Sequence, residues 1–121
     1  MTIQELKAKI ETNPEPFIGA MYEKNGYILD EDGLSWGMLI YHNMELGIQN
    51  DCQPLHSEEA PRSALREFEL KGYDDLYVFA LRRILDIDND DWSISAWYKV
   101  LTASAIDRFT ALCWVGGIKG E

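Results

Sequence analysis

No stretch of this 121-residue chain approaches the ~20 consecutive apolar residues that a membrane-spanning helix needs, so no membrane partner is expected. The N-terminus, Met1-Thr2-Ile3-Gln4-Glu5, lacks the basic start and apolar run of a signal peptide, and a cytoplasmic location is expected. Cysteine is scarce. Cys52 and Cys113 are the only two, and in a cytosolic chain such a pair reads as free thiols rather than a bridge. Histidine is equally scarce, with His42 and His56 alone. Basic residues are few in the first half. Residues 1–60 hold 11 acids against 3 bases, whereas residues 61–121 hold 10 acids against 8 bases. Direct nucleic-acid binding is not expected, because phosphates require local cations.

The catalytic signatures are missing too. There is no Gly-x-Ser-x-Gly elbow and no Ser-x-x-Lys. Gly116-Gly117-Ile118-Lys119-Gly120 follows a predicted helix instead of leading into one, so it reads as a helix stop and not a phosphate loop. His42, Cys52, His56 and Cys113 are too few and too unevenly spaced for a closed zinc site, which takes four ligands in pairs. A metal or thiolate use of His42, Cys52 and His56 is the less favoured alternative. Asp86, Asp88 and Asp90 occupy the first, third and fifth positions of a calcium loop. Asp91 then stands where glycine is needed, and Trp97 where a bidentate glutamate is needed. An EF-hand is rejected, and no cofactor is expected.

What is present is a chain of ordinary apolar content, 46%, with a net charge of −10. Its length fits one domain, 1–121, with a real core. Thr2 and Glu5 have capping-box spacing, and Ile3, Leu6 and Ile10 mark one helical face. Pro14 ends that helix at Asn13. Residues 18–42 allow two readings. The favoured one is helical: Asn13 caps, Gly26 stops, and a further helix near Asp32 or Ser35 carries Trp36, Leu39, Ile40 and Met44. The alternative is an α+β fold with a short β-meander at 18–42, turning at Asn25-Gly26 and Asp32-Gly33. Residues 50–56 read as a loop. Pro61 to Gly72 predicts a helix with Ala64, Leu65 and Phe68 inward.

The periodicity predicts a helix over 75–87, capped by Asp74 or Asp75. Leu76, Phe79, Ala80, Ile84 and Ile87 fall on one side, and Val78 and Leu85 on the other. Such a helix is sandwiched, so it is taken as the centre of a mainly α bundle of five to six helices. Arg83 falls inside the apolar arc and calls for an acidic partner or a snorkelling exit. An aspartate of Asp88-Asn89-Asp90-Asp91 can cap the next helix, with Ile94, Trp97, Tyr98 and Leu101 as its apolar stripe. Thr102 or Ser104 opens a last helix with Ile106, Phe109, Leu112 and Cys113 inward. Gly116-Gly117 closes it, and Ile118 folds back as the contact beyond the stop.

Trp92 points away from the Ile94 stripe and stands among Asp86, Asp88, Asp90 and Asp91. An exposed tryptophan beside a charged patch suits an interface anchor. The expected function is therefore a non-enzymatic acidic intracellular module, of inhibitor or immunity type by charge and size, that occupies a basic surface on a protein partner. The alternative is an assembly subunit that forms homo-oligomers.

Overall fold

The computed structural model describes residues 1–34, 39–52, 59–72 and 74–119, the side chains at 33–34, 39, 49–52, 59–61, 63 and 72 excepted. The protein is mainly α-helical with a small antiparallel sheet. The helices are α1 (Ile3–Thr12), α2 (Glu15–Lys24), α3 (Glu31–Leu34), α4 (Glu59–Gly72), α5 (Asp75–Ile84), α6 (Ile94–Leu101) and α7 (Ala105–Val115). The strands are β1 (Tyr27–Leu29), β2 (Leu39–Asn43) and β3 (Ile48–Cys52), in the order β1-β2-β3.

Local chemistry sets most helix ends. Thr2 accepts a hydrogen bond from the Glu5 N–H at 3.1 Å and opens α1, whose Ile3, Leu6 and Ile10 are buried. α2 starts one residue away from expectation. Pro14 stands at its N-cap and no side chain caps it. Its stop is the expected one, with Gly26 at φ 86°. Asp74 caps α5 through the Tyr77 N–H at 3.0 Å, and Ser104 caps α7 through the Asp107 N–H at 3.1 Å.

Neither reading of residues 18–42 is fully met. Asn25-Gly26 ends a helix and makes no hairpin, and Asp32-Gly33 lies within α3. The helix expected to carry Leu39, Ile40 and Met44 is replaced by β2. Trp36 lies outside the described residues. The three strands pair in chain order, displaced from the expected span, with a hairpin turn between β2 and β3 at residues 44–47. The physical reason is period. Tyr41 and Asn43 are buried on one face of β2, while Ile40 and His42 are only half-buried, and Met44 is exposed. The same apolar residues also fit a 3.6-residue repeat, so a short run could not decide the matter.

Tyr22 ties the sheet to the helices. Its ring stacks on Tyr41 at 4.2 Å and meets Tyr27 and Phe68 edge-on at 5.2 and 4.8 Å. A Cβ at Gly19 would stand 3.3 Å from the Tyr41 hydroxyl, so this close approach favours glycine. On α4, Glu67 accepts from Tyr27 at 2.5 Å and Glu69 accepts from Tyr77 at 2.6 Å. Burial, and next the Glu67 hydrogen bond, push the Tyr27 phenol up to about 12.

One apolar core draws on α1, α2, β1, β2, α4, α5, α6 and α7. The predicted helix over 75–87 ends at Ile84, and Leu85 to Ile87 close it. Val78 and Leu85 pack against the core as expected of a sandwiched helix. The core-facing arc is rotated, however. Tyr77, Ala80, Leu81 and Ile84 are buried, while Leu76 and Phe79 face solvent. Tyr77, absent from the expected arc, lies near the middle of the true one. The most enclosed element is α7, which packs on α1, α4 and α5 and buries every residue from Phe109 to Cys113. Lys7 joins α1 to α7 by a 2.7 Å ion pair with Asp107.

Candidate interaction surface

The surface is built where α5 hands over to α6. α5 closes with two backbone bonds, Asp86 N–H to the Arg83 carbonyl at 3.2 Å and Ile87 N–H to the Arg82 carbonyl at 3.0 Å. This closure needs a left-handed residue, and Asp86 supplies it at φ 57°. Ile87 then returns to the core. The chain loops through Asp88 to Asp91 and enters α6 at Ser93, whose hydroxyl accepts from the Ala96 N–H at 3.2 Å. The cap is therefore Ser93 and not an aspartate. Asp91 instead accepts from the Ser93 N–H at 3.0 Å. Hydrogen bonds from the Ser93 side chain and backbone, with the nearby Arg82 charge, hold the Asp91 carboxyl below its ordinary value.

Arg82 sits beneath this loop at 2% exposure. The sequence pointed to Arg83, one residue later. Arg83 lies with Leu76 and Phe79 on the solvent side of α5, with its guanidinium 5.7 Å from the Trp114 ring. Among the described residues, the hydrogen-bond partners of Arg82 are backbone carbonyls and not acidic side chains. Its Nη2 donates to the Asp88 carbonyl at 2.9 Å and the Asp91 carbonyl at 2.5 Å. The guanidinium carbon lies over the Trp92 ring, 4.1 Å from its centroid. Its Nη1 is buried with no hydrogen bond among the described residues. One arginine thus fixes both the loop backbone and the inner face of the exposed tryptophan.

Trp92, 50% exposed, does not point away from the α6 stripe. Its ring lies 5.9 Å from Trp97 and meets Phe79 edge-on at 6.4 Å. The stripe itself is turned outward. Ala96 and Val100 are the buried residues of α6. Ile94 is 90% exposed, Leu101 79%, Tyr98 66% and Trp97 40%. With Leu76 and Phe79, these side chains make an exposed apolar face, joined across α5 and α6 by the ring contacts of Phe79, Trp92 and Trp97. Asp86, Asp88, Asp90 and Asp91 border it, all exposed. Sequence reasoning named only the aspartates and Trp92, which share this loop. It missed the larger apolar face because it assumed that the bigger side chains point inward.

The Cys and His candidates are not assembled into a site among the described residues. Cys113 is buried in the core, where desolvation pushes its thiol up. His42 pairs with Asp30 at 3.0 Å on the sheet. His56 and the Cys52 side chain lie outside what is described. No group of three or more His, Cys, Asp or Glu among the described residues is arranged to hold a metal ion. No helix among them is long and apolar enough to cross a membrane. Comparison with protein-family models, curated proteins and solved structures returned no match.

Proposed function

We propose that this protein is a non-enzymatic, acidic binding module that docks on a basic surface of a protein partner. The observation that carries this reading is the uncovered face of α5 and α6: aromatic at its centre, aliphatic along α6, and bordered by aspartates. Contiguous apolar faces of this kind mark interaction sites on water-soluble surfaces. A central tryptophan held rigid before binding is a favourable anchor, because little side-chain freedom is lost on docking.

Charge selects the kind of partner. The chain carries −10, so a second copy brings like charge to the same border. A basic surface meets opposite charge there, which steers encounter and makes the on-rate fall with salt.

The test is capture from the cells of origin at low and high salt, with wild type beside two variants. One is Asp88→Lys/Asp90→Lys/Asp91→Lys, and the other is Trp92→Ala. A partner with a basic surface, retained at low salt and lost with either variant, is the expected result. The charge reversal lowers its on-rate by about tenfold or more at low salt. Identical capture by wild type and both variants removes the reading.

A further inference from the structure

We infer that the element covering α6 is an amphipathic helix of the partner, with apolar residues at every third or fourth position and Lys or Arg along its margins. The inference rests on the binding-module reading and specifies the shape of its partner.

The first ground is geometric. Ile94, Trp97, Tyr98 and Leu101 stand at i, i+3, i+4 and i+7, and all are exposed. This spacing makes a single ridge along the helix axis, the relief that packs into the groove of another helix. A strand added to this face would find no row of N–H and C=O groups to pair with, since a helix directs these groups along its axis and not toward its side. The eight residues of α6 extend about 12 Å, so a partner helix of three turns would cover the ridge.

The second ground is that α6 is already used this way on its other side. Ala96 and Val100, four apart, are its buried residues, and α6 packs on α5. Six of its eight residues are apolar, so it has two packing faces and only the one with small side chains is covered. Large side chains on the open face are suited to reach between those of a second helix.

The third ground is charge. Asp88, Asp90 and Asp91 lie immediately before α6, while Lys99 is the one base on it. A helix laid on the ridge places its margins beside these carboxylates, so those margins are basic. Two copies of this chain, by contrast, associate against a charge of −10 each. The two occupants therefore respond to salt in opposite directions. A basic helix binds more weakly as salt rises, and self-association strengthens.

The experiment uses the full chain and three synthetic peptides of about 18 residues, long enough for helix formation. The first has Leu at i, i+3, i+4 and i+7 with Lys margins. The second has the same Leu pattern with Glu margins. The third is the first with its order scrambled. Affinities are measured at low and high salt, and the footprint is mapped by amide chemical shifts. The Lys-margin peptide is expected to bind at least about tenfold more tightly than the other two, to weaken with salt, and to perturb residues 92–101. Trp97→Ala and Leu101→Ala, both on the exposed ridge, each weaken it by about fivefold or more with unchanged circular dichroism. Equal binding of the scrambled peptide overturns the helix, because charge alone would then suffice. Equal binding of the Glu peptide overturns the basic margin. No binding by any peptide, or salt-promoted dimerisation through 94–101 by sedimentation, overturns the inference as a whole. Capture of a basic partner that depends on Trp92, together with failure of the Lys-margin peptide, removes the helix and leaves the binding module standing.

Discussion

Helices α6 and α7 follow one another, each is opened by a serine cap, and their apolar residues end in opposite places. In α7, Phe109, Leu112 and Cys113 are sealed between α1, α4 and α5. In α6, the small Ala96 and Val100 face the protein, and Ile94, Trp97, Tyr98 and Leu101 face water. The hydrophobic effect explains α7 from within the chain. It does not explain α6, where the largest apolar side chains gain least from folding. Under the proposed function, that open face is the one a partner covers.

The largest effect separates the two helices directly. Phe109→Ala removes a fully buried ring and is expected to cost about 3–5 kcal/mol. Leu101→Ala, on the open ridge of α6, is expected to stay within about 0.5 kcal/mol of wild type. Urea unfolding of both variants measures the difference. A cost for Leu101→Ala approaching that of Phe109→Ala would mean that the ridge is covered within the protein, and the interaction surface would be lost with it.

A smaller effect tests the join between them. Arg82→Met keeps a long apolar stem but removes the guanidinium that donates to the Asp88 and Asp91 carbonyls. The expected cost is about 1–3 kcal/mol. The Asp91 amide, bonded to the Asp88 carbonyl at 3.0 Å, should exchange its hydrogen faster, while the α7 amides keep the protection that global stability allows. Uniform acceleration along the whole chain would show that Arg82 supports the core generally and does not specifically set the loop and Trp92.

The contrast also marks what could be read from the sequence. The stop at Gly116-Gly117 and the return of Ile118 were legible, because a helix end of this kind depends on local chemistry. So were Ile3, Leu6 and Ile10 of α1, where one face alone is apolar, and Phe109, Leu112 and Cys113 of α7. In α6 the apolar positions were found and their direction was misread. Period gives faces, and only the neighbours decide which face is covered. The warning was present in the run from Ile94 to Leu101, where Ala96 and Val100 make a second face four residues apart. Arg82 was missed for a related reason. It lies opposite the main arc of α5 and is buried by a loop that folds back from Asp86 to Trp92, a tertiary event that no wheel contains. The hairpin turn at 44–47 was missed because Met44, Glu45 and Leu46 carry no turn signal and Gly47 stands alone.

The smallest effect compares how the two sides of the join are closed. α5 and α7 end in the same way, with paired backbone bonds around one left-handed residue. In α7 that residue is Gly117, at φ 70°, and its N–H bonds to the Trp114 carbonyl at 3.2 Å. In α5 it is Asp86, at φ 57°. An L-residue with a side chain is strained there, and a carboxylate at the C-terminal end of a helix also opposes the dipole. Asp86→Gly should therefore raise stability by about 1 kcal/mol. Gly117→Ala should lower it by about the same amount through strain alone, since an added Cβ there would meet nothing within 4 Å. Asp86→Asn separates the two causes, because asparagine tolerates the left-handed conformation while removing the charge. Thermal unfolding of the three variants reads the signs. If Asp86→Gly gains stability and also weakens the Lys-margin peptide, Asp86 belongs to the border of the docking face and its strain is the cost of a carboxylate placed there. If it gains stability with the peptide affinity unchanged, the border starts at Asp88, and the unusual end of α5 has no part in recognition.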